Sequence, residues 1–239
     1  MAMAKLLLQR GASVVGIARS ENSELLREAR ISTGRLMQLA GDLGELKRIP
    51  ELLEDALSWL GVEPMDSVTL INNAGVLEPI ARLEELDPQE LEHHMKINLL
   101  APTLLVGAFL RETRKRELRR RVANITSGAA KQPYAGWSAY CSAKAGLEMM
   151  TRVAAEESEM EEERAKVIAV APGVVETEMQ RRIWESDETS FPTKGKFLRL
   201  RDEGKLADPV EAAGKVLRAI EDETLLSGEI VDVRERYPD

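Results

Sequence analysis

Tyr140 and Lys144 stand four residues apart in "WSAYCSAKAG" (137–146). On a helix, that spacing puts both side chains on one face, within reach of a common ligand. An ammonium beside a phenol stabilises the phenolate and lowers its pKa, which makes the tyrosine a usable proton donor and acceptor nearer neutrality. Ser127, thirteen residues before Tyr140, supplies a hydroxyl able to hold a carbonyl oxygen while that proton arrives. The three together could reduce a ketone. A Tyr and a Lys four apart are common on ordinary helices, so the pair gains weight only from the elements that position it and the motifs that accompany it.

Those elements alternate. Apolar, β-branched runs at 13–18, 35–40, 67–75, 121–127, 166–173 and 228–233 read as strands buried on both faces. Between them, 21–30, 44–60, 87–117, 138–163 and 207–222 carry helical patterns. The expected fold is an α/β, doubly wound, mostly parallel Rossmann-like sheet, organised as one domain over 1–239. Ser127 then falls at the carboxyl end of a strand, the sheet edge at which ligands bind. Pro102 lies within the long 87–117 helix and is expected to kink it.

Charge narrows the partners. The net charge of −8 and pI near 5.1 disfavour nucleic acid and anionic membranes, which need a basic surface. The basic stretch 111–121 has no interleaved aromatic residue and reads as a solvated helix C-terminus. The acidic run 156–163 reads as a solvated face. Cys141 is the single cysteine, which excludes an intrachain disulfide and a cysteine metal cluster and suits a reducing, cytoplasmic setting. His93 and His94 are adjacent, about 100° apart on a helix, and read as plain surface or helix residues, with no metal site expected. Leu6-Leu7-Leu8 is too brief for a signal or membrane segment.

Beyond the Ser, Tyr and Lys stand "NNAG" at 72–75, Asn98 within "KINLLAP", and "APGVVET" at 171–177, in that order. With these the chain resembles the short-chain dehydrogenase/reductase family across essentially residues 1–235. The resemblance implies that Tyr140 is the general acid in the reductive direction, that Lys144 binds the nicotinamide ribose and tunes the tyrosine, and that Ser127 orients the carbonyl. It makes Asn98 the fourth member, holding a water in a proton relay behind the lysine at a helix irregularity. It also matches Asp42 and Leu43 to the adenine contacts, Asn73, Ala74 and Gly75 to the turn on which the dinucleotide lies, and Val175 and Thr177 to carboxamide and phosphate contacts. Asp42 alone could equally cap the helix expected near residue 44. After the strand at 13–18, Arg19 and Ser20 stand where an acidic residue would select NAD, and a guanidinium with a hydroxyl suits a 2′-phosphate, so NADPH is the expected cofactor.

The stretches "KINLLAPTLL", "WSAYCSAKAG", "APGVVETEMQ" and "EGKLADP" look most similar to the benzil reductase branch, close to sepiapterin reductases. That resemblance implies NADPH-dependent reduction of α-diketones. A 3-oxoacyl-type reductase is the less favoured alternative, because "GEIVDVRE" lacks an Asp-Gly-Gly ending. A substrate lid is expected over about 178–206, where Trp184, Phe191 and Phe197 either line it or pack it onto the body. Tyr134 and Trp137 are better placed to contact a small apolar or aromatic carbonyl substrate. Relatives pair through helices matching 87–117 and 138–163 as homodimers or homotetramers, or stay monomeric.

The opening "MAMAKLLLQRGASVVGIARS" reads as a helix with no N-cap residue, ended by Gly11 as its C′ residue. No T-G-x-x-x-G-x-G turn occurs anywhere in the sequence. The family's first strand, central in the order 3-2-1-4-5-6-7, would lie between the strands at 13–18 and 68–72 and is missing from this chain. The resemblance therefore places roughly 20 further residues upstream of Met1. The competing expectation is an N-terminally truncated, non-catalytic chain that keeps the tetrad and cannot hold the dinucleotide.

Overall fold

The computed structural model describes residues 1–61, 65–162 and 164–238. The chain opens with α1 (Ala2–Gln9), β1 (Ser13–Ala18), α2 (Ser23–Ile31), β2 (Arg35–Ala40) and α3 (Ile49–Leu60). It continues through β3 (Ser67–Asn72), α4 (Pro88–Met95), a π-helical turn Lys96–Leu100, α5 (Ala101–Thr113), β4 (Arg119–Ile125) and α6 (Ser138–Glu159). Last come β5 (Ala165–Ala171), α7 (Glu178–Glu185), α8 (Lys194–Asp202), α9 (Pro209–Glu221), β6 (Ile230–Asp232) and α10 (Val233–Arg236).

Every strand pairing is parallel, and one face of the β3-β4-β5-β6 sheet packs on Ile49, Leu53, Leu57, Leu105 and Phe109 of α3 and α5. The other face packs on Val216, Leu217 and Ile220 of α9. Val122, Ala123, Val167, Ile168, Ala169 and Val170 are buried on both sides, which is why β4 and β5 read as continuous apolar runs and not as alternation. This is the expected Rossmann-like arrangement. Short polar side chains start the helices. Asn22 accepts from the amides of Glu24 and Leu25, Asp87 from Gln89 and Glu90, and Asp208 from Val210 and Glu211, all at 2.8–3.1 Å.

The sheet is divided where the sequence reading expects a central strand. β1 pairs with β2 from Ser13 opposite Arg35 to Ala18 opposite Ala40, and β3 pairs with β4, but no ladder among the described residues joins β1 to β3. Val14, Val15 and Ile17 on β1, and Leu70 and Ile71 on β3, stay only partly buried. The two sheets are held in one body by helices, α1 against α9 and α3 against α5. Met1 gives α1 no side-chain cap, and Gly11 ends it at φ +80°, as expected.

Several expectations need correction. The helix expected over 87–117 runs continuously as α4, the π turn and α5, and Pro102, whose missing amide leaves one ladder bond unmade, follows directly on the π turn. Helix α5 ends at Thr113, and Arg119–Arg121 belong to β4. Arg120 is 2% exposed between Val68 and Ala165, so pairing with neighbouring strands overrode the charge pattern that suggested a solvated helix end. The helix expected over 44–60 begins at Ile49 with Pro50 in its first turn. The helix expected over 138–163 ends at Glu159, and Glu163 lies outside the described residues.

Candidate active site

β4 ends at Ile125, and Thr126-Ser127 turns the chain outward at the carboxyl edge of the sheet. Gly136 precedes α6 at φ +87°, and a Cβ there would lie 2.1 Å from the Ser190 carbonyl oxygen, so only glycine lets the chain enter the helix at this angle. Tyr140 then occupies the first turn of α6, with Lys144 one turn later, both buried. The Ser127 hydroxyl accepts from the Ala129 amide at 3.2 Å and lies close enough to the Tyr140 phenol to favour its ionised form. Lys144 Nζ donates to the Ile125 carbonyl at 2.8 Å and lies 5.7 Å from the centre of the Tyr140 ring. Strand end and helix face thus bring the three residues together as their spacing suggests.

Their electrostatics differ from the expectation. Burial lowers the Lys144 ammonium to about 8, so it is largely charged at neutral pH. Burial also raises the Tyr140 phenol, outweighing the Ser127 hydrogen bond that lowers it. One of the three Lys144 ammonium hydrogens goes to the Ile125 carbonyl, and burial of the ring is the largest influence on the phenol. The phenol is therefore held in its protonated, donating form.

Asn98 lies in the π turn, the helix irregularity expected there, and is 1% exposed. Its Oδ1 accepts from the Val76 amide at 3.1 Å, and its Nδ2 donates to the Val76 carbonyl at 2.8 Å. The same Nδ2 lies 2.8 Å from Nε2 of His94, whose Nδ1 lies 2.6 Å from the Glu78 carbonyl. His94, on α4 as a helix residue, is thus fully buried beside the site and not at the surface. Sequence reasoning misses it. Its four-residue spacing from Asn98 is the signal that could have found it.

The other residues singled out in the sequence follow the carboxyl ends of strands in both sheets. Asn73, Ala74 and Gly75 follow β3 as exposed backbone, and a Cβ on Gly75 would fall 2.9 Å from Asn98 Oδ1 and 3.9 Å from Lys144 Nζ. Arg19 and Ser20 follow β1 and are exposed, and Arg19 makes no ion pair among the described residues. Asp42 follows β2, where its Oδ1 accepts from the Gly44 amide at 2.8 Å; it caps a turn there, since the helix starts later, at Ile49. Leu43 packs partly into the core beside α3. Val175 bridges to Ala207 after the left-handed Gly173 (φ +84°), and Thr177 opens α7.

The aromatic residues answer the packing question. Phe191 and Phe197 are buried and join Trp137, Tyr140 and Ile183 in one cluster, with Phe191 stacked 4.5 Å from Trp137. They hold segment 178–206 onto the body. Trp137 also meets the Tyr140 ring edge-on at 5.5 Å. Tyr134 contacts Trp137 and Phe197, and its hydroxyl accepts from Lys196 of α8 at 3.0 Å. Trp184 is partly buried under the Arg201 guanidinium, 5.2 Å from its ring.

The family model for short chain dehydrogenases matches residues 1–188. The chain belongs to the short-chain dehydrogenase/reductase family. It is 38% identical to the benzil reductase ((S)-benzoin forming) of Bacillus subtilis (strain 168) over 234 residues, covering 98% of this chain and 93% of that protein. It is 35% identical to the enzyme of the same description from Bacillus cereus, covering 98% and 94%. Among solved structures, KRED1-Pglu superposes with a TM-score of 0.80 at 30% identity, over 96% of this chain and 94% of that one. As a short-chain dehydrogenase/reductase, the protein is an oxidoreductase acting on CH–OH and C=O groups, with a fold built for a nicotinamide dinucleotide. None of its described helices is long and apolar enough to cross a membrane.

Proposed function

We propose that the chain is an NADPH-dependent carbonyl reductase for α-diketones of the benzil type. The observation that carries this reading is the convergence of Ser127, Tyr140 and Lys144 beside the bare Gly75 backbone, at the carboxyl edge of a parallel sheet. The exposed Gly75 turn, with room for no side chain, fits the nicotinamide end of a dinucleotide, and the unpaired Arg19 with Ser20 fits a ribose 2′-phosphate. Asp42, Leu43, Asn73 and Ala74 would hold the adenosine side, and Val175 and Thr177 the nicotinamide side. When bound, the dinucleotide supplies the hydride that the carbonyl carbon accepts.

The chain's own groups handle the oxygen and the proton. Ser127 orients the carbonyl oxygen, and Tyr140, kept protonated by burial, donates its proton to that oxygen as the C–O bond becomes single. The phenolate left behind is stabilised by the Lys144 ammonium across the buried gap and is reprotonated through a relay that passes Asn98. Segment 178–206 acts as a lid, and Tyr134, Trp137 and Trp184 form its aromatic wall, which suits a flat, apolar ketone. Cys141 as the single thiol favours a cytoplasmic setting.

Substitution of Tyr140 by Phe tests the mechanism. Benzil reduction with NADPH is expected to fall by at least about a hundredfold, the contribution of a positioned general acid, while the far-UV circular dichroism stays unchanged. Full activity in that variant would remove Tyr140 from the reaction. The divided sheet and the absence of a glycine-rich turn favour a second reading, in which the tetrad is intact but the dinucleotide is held weakly. Titration of the 239-residue chain with NADPH separates the two, because saturation at micromolar concentration excludes the second.

A further inference from the structure

We propose that His94 is a positioning residue for the reaction. As a neutral imidazole carrying its hydrogen on Nδ1, it locks the Asn98 amide in one orientation and ties the Asn73–Val76 turn to the π turn beneath Lys144. The proposal rests on the reading of Asn98 and Lys144 given above. A carbonyl oxygen only accepts, so the 2.6 Å contact with the Glu78 carbonyl makes Nδ1 the donor. Asn98 Nδ2 only donates, so Nε2 at 2.8 Å is the acceptor.

The Asn98 orientation is itself over-determined. Turning the amide over would set Oδ1 against the Val76 carbonyl and Nδ2 against the Val76 amide, a like-to-like clash on both sides. His94 adds a third constraint, and it alone reaches onward to the Glu78 carbonyl. One ring therefore joins the loop after β3, the π turn and the face of α6, where it meets the edge of Tyr140 at 6.1 Å. Without the ring, the Asn98 amide keeps its Val76 partners but loses its fixed depth relative to Gly75 and Lys144.

The lock carries a pH dependence. A proton on Nε2 would oppose the Asn98 NH2 donor to donor, so protonation breaks the contact. The charged groups facing the ring are Lys144 on α6 and His93 on α4, which disfavour that proton, and the Glu78 carboxylate, which favours it and is paired with Arg182. Burial is the largest influence and holds His94 below its ordinary value, so the neutral form prevails at pH 7.

The test uses wild type, His94→Gln and His94→Phe. Gln carries an acceptor and a donor spaced as in the imidazole but does not titrate; Phe keeps a ring and offers neither. His94→Phe is expected to lose about tenfold in kcat, the equivalent of one hydrogen bond, with the ketone KM little changed. His94→Gln should recover most of kcat and lose the acid limb of the wild-type pH profile. Independently of activity, 15N NMR of wild type without cofactor should show His94 Nε2 unprotonated at pH 7 and slowly exchanging Asn98 side-chain protons, which persist in the Gln variant.

A protonated Nε2 at pH 7, a Phe variant with wild-type kcat, or an acid limb retained in the Gln variant would each overturn the proposal. If the Phe variant does not fold, the Gln variant and the wild-type NMR decide it. A wild-type chain with no carbonyl reductase activity would overturn the functional reading and the catalytic part of this one. The NMR would then decide the lock alone.

Discussion

Gly75→Ala adds one methyl group at the point where Asn98 and Lys144 converge. The added Cβ would stand 2.9 Å from Asn98 Oδ1, against 3.4–4 Å for ordinary contact, so the oxygen must retreat by about half an ångström. It cannot do so freely. It accepts from Val76 at 3.1 Å while the amide's other end is held by the Val76 carbonyl and His94, and the same retreat carries the Val76 bond past hydrogen-bonding distance. Leaving that buried acceptor unpaired costs about 1–3 kcal/mol. For a chain of this length the melting temperature should drop by roughly 2–12 °C. Gly75 has no positive φ, so backbone strain adds nothing to this figure. Thermal unfolding followed by circular dichroism without cofactor reads the change directly, and reductase kinetics at saturating NADPH should show kcat lowered by about tenfold. A variant that melts within about a degree of wild type would refute the claim that Asn98 is rigidly held.

Other consequences follow from the same geometry. Burial that brings Lys144 from 10.5 to about 8 implies that its charged form carries roughly 3 kcal/mol of cost, so Lys144→Met should be more stable than wild type in urea unfolding at pH 7 although inactive. The unfolded chain binds this proton more tightly than the folded one between about pH 8 and 10.5, so wild-type stability should rise with pH across that window, and the Met variant should lose that contribution. Arg19→Ala should weaken NADPH binding by about ten- to a hundredfold, the range for a charge-assisted hydrogen bond, and leave NADH binding unchanged; equal loss for both in fluorescence titration would count against a 2′-phosphate site. Phe191→Ala removes a fully buried ring stacked on Trp137 and should cost about 3–5 kcal/mol in denaturant unfolding, with Trp137 fluorescence shifted toward that of an exposed indole.

The fold class was legible in the sequence, because strands buried on both faces, as β4 and β5 are, must be written as unbroken apolar runs; the runs at 13–18 and 35–40 match β1 and β2 residue for residue although those strands stay only partly buried. The sequence also placed Tyr140 and Lys144 on one helix face and Ser127 at a strand end, since helical spacing and strand ends are local properties. Gly11 announced the end of α1 for the same reason. What tertiary structure decided is what depends on neighbours remote in the chain. Arg120 lies buried in a strand because Val68 and Ala165 pair with it, although its local charge pattern suggests a solvated helix end. Phe191 and Phe197 anchor the segment over the site, an outcome that spacing left open. The Tyr140 phenol is raised because burial outweighs the Ser127 hydrogen bond that lowers it, and the depth of a site is invisible in a one-dimensional pattern. His94 shows the same limit most sharply. Adjacent histidines on a helix look alike, and only the loop after β3, folded against the π turn, sets one of them wholly inside with a hydrogen-bond partner on each ring nitrogen.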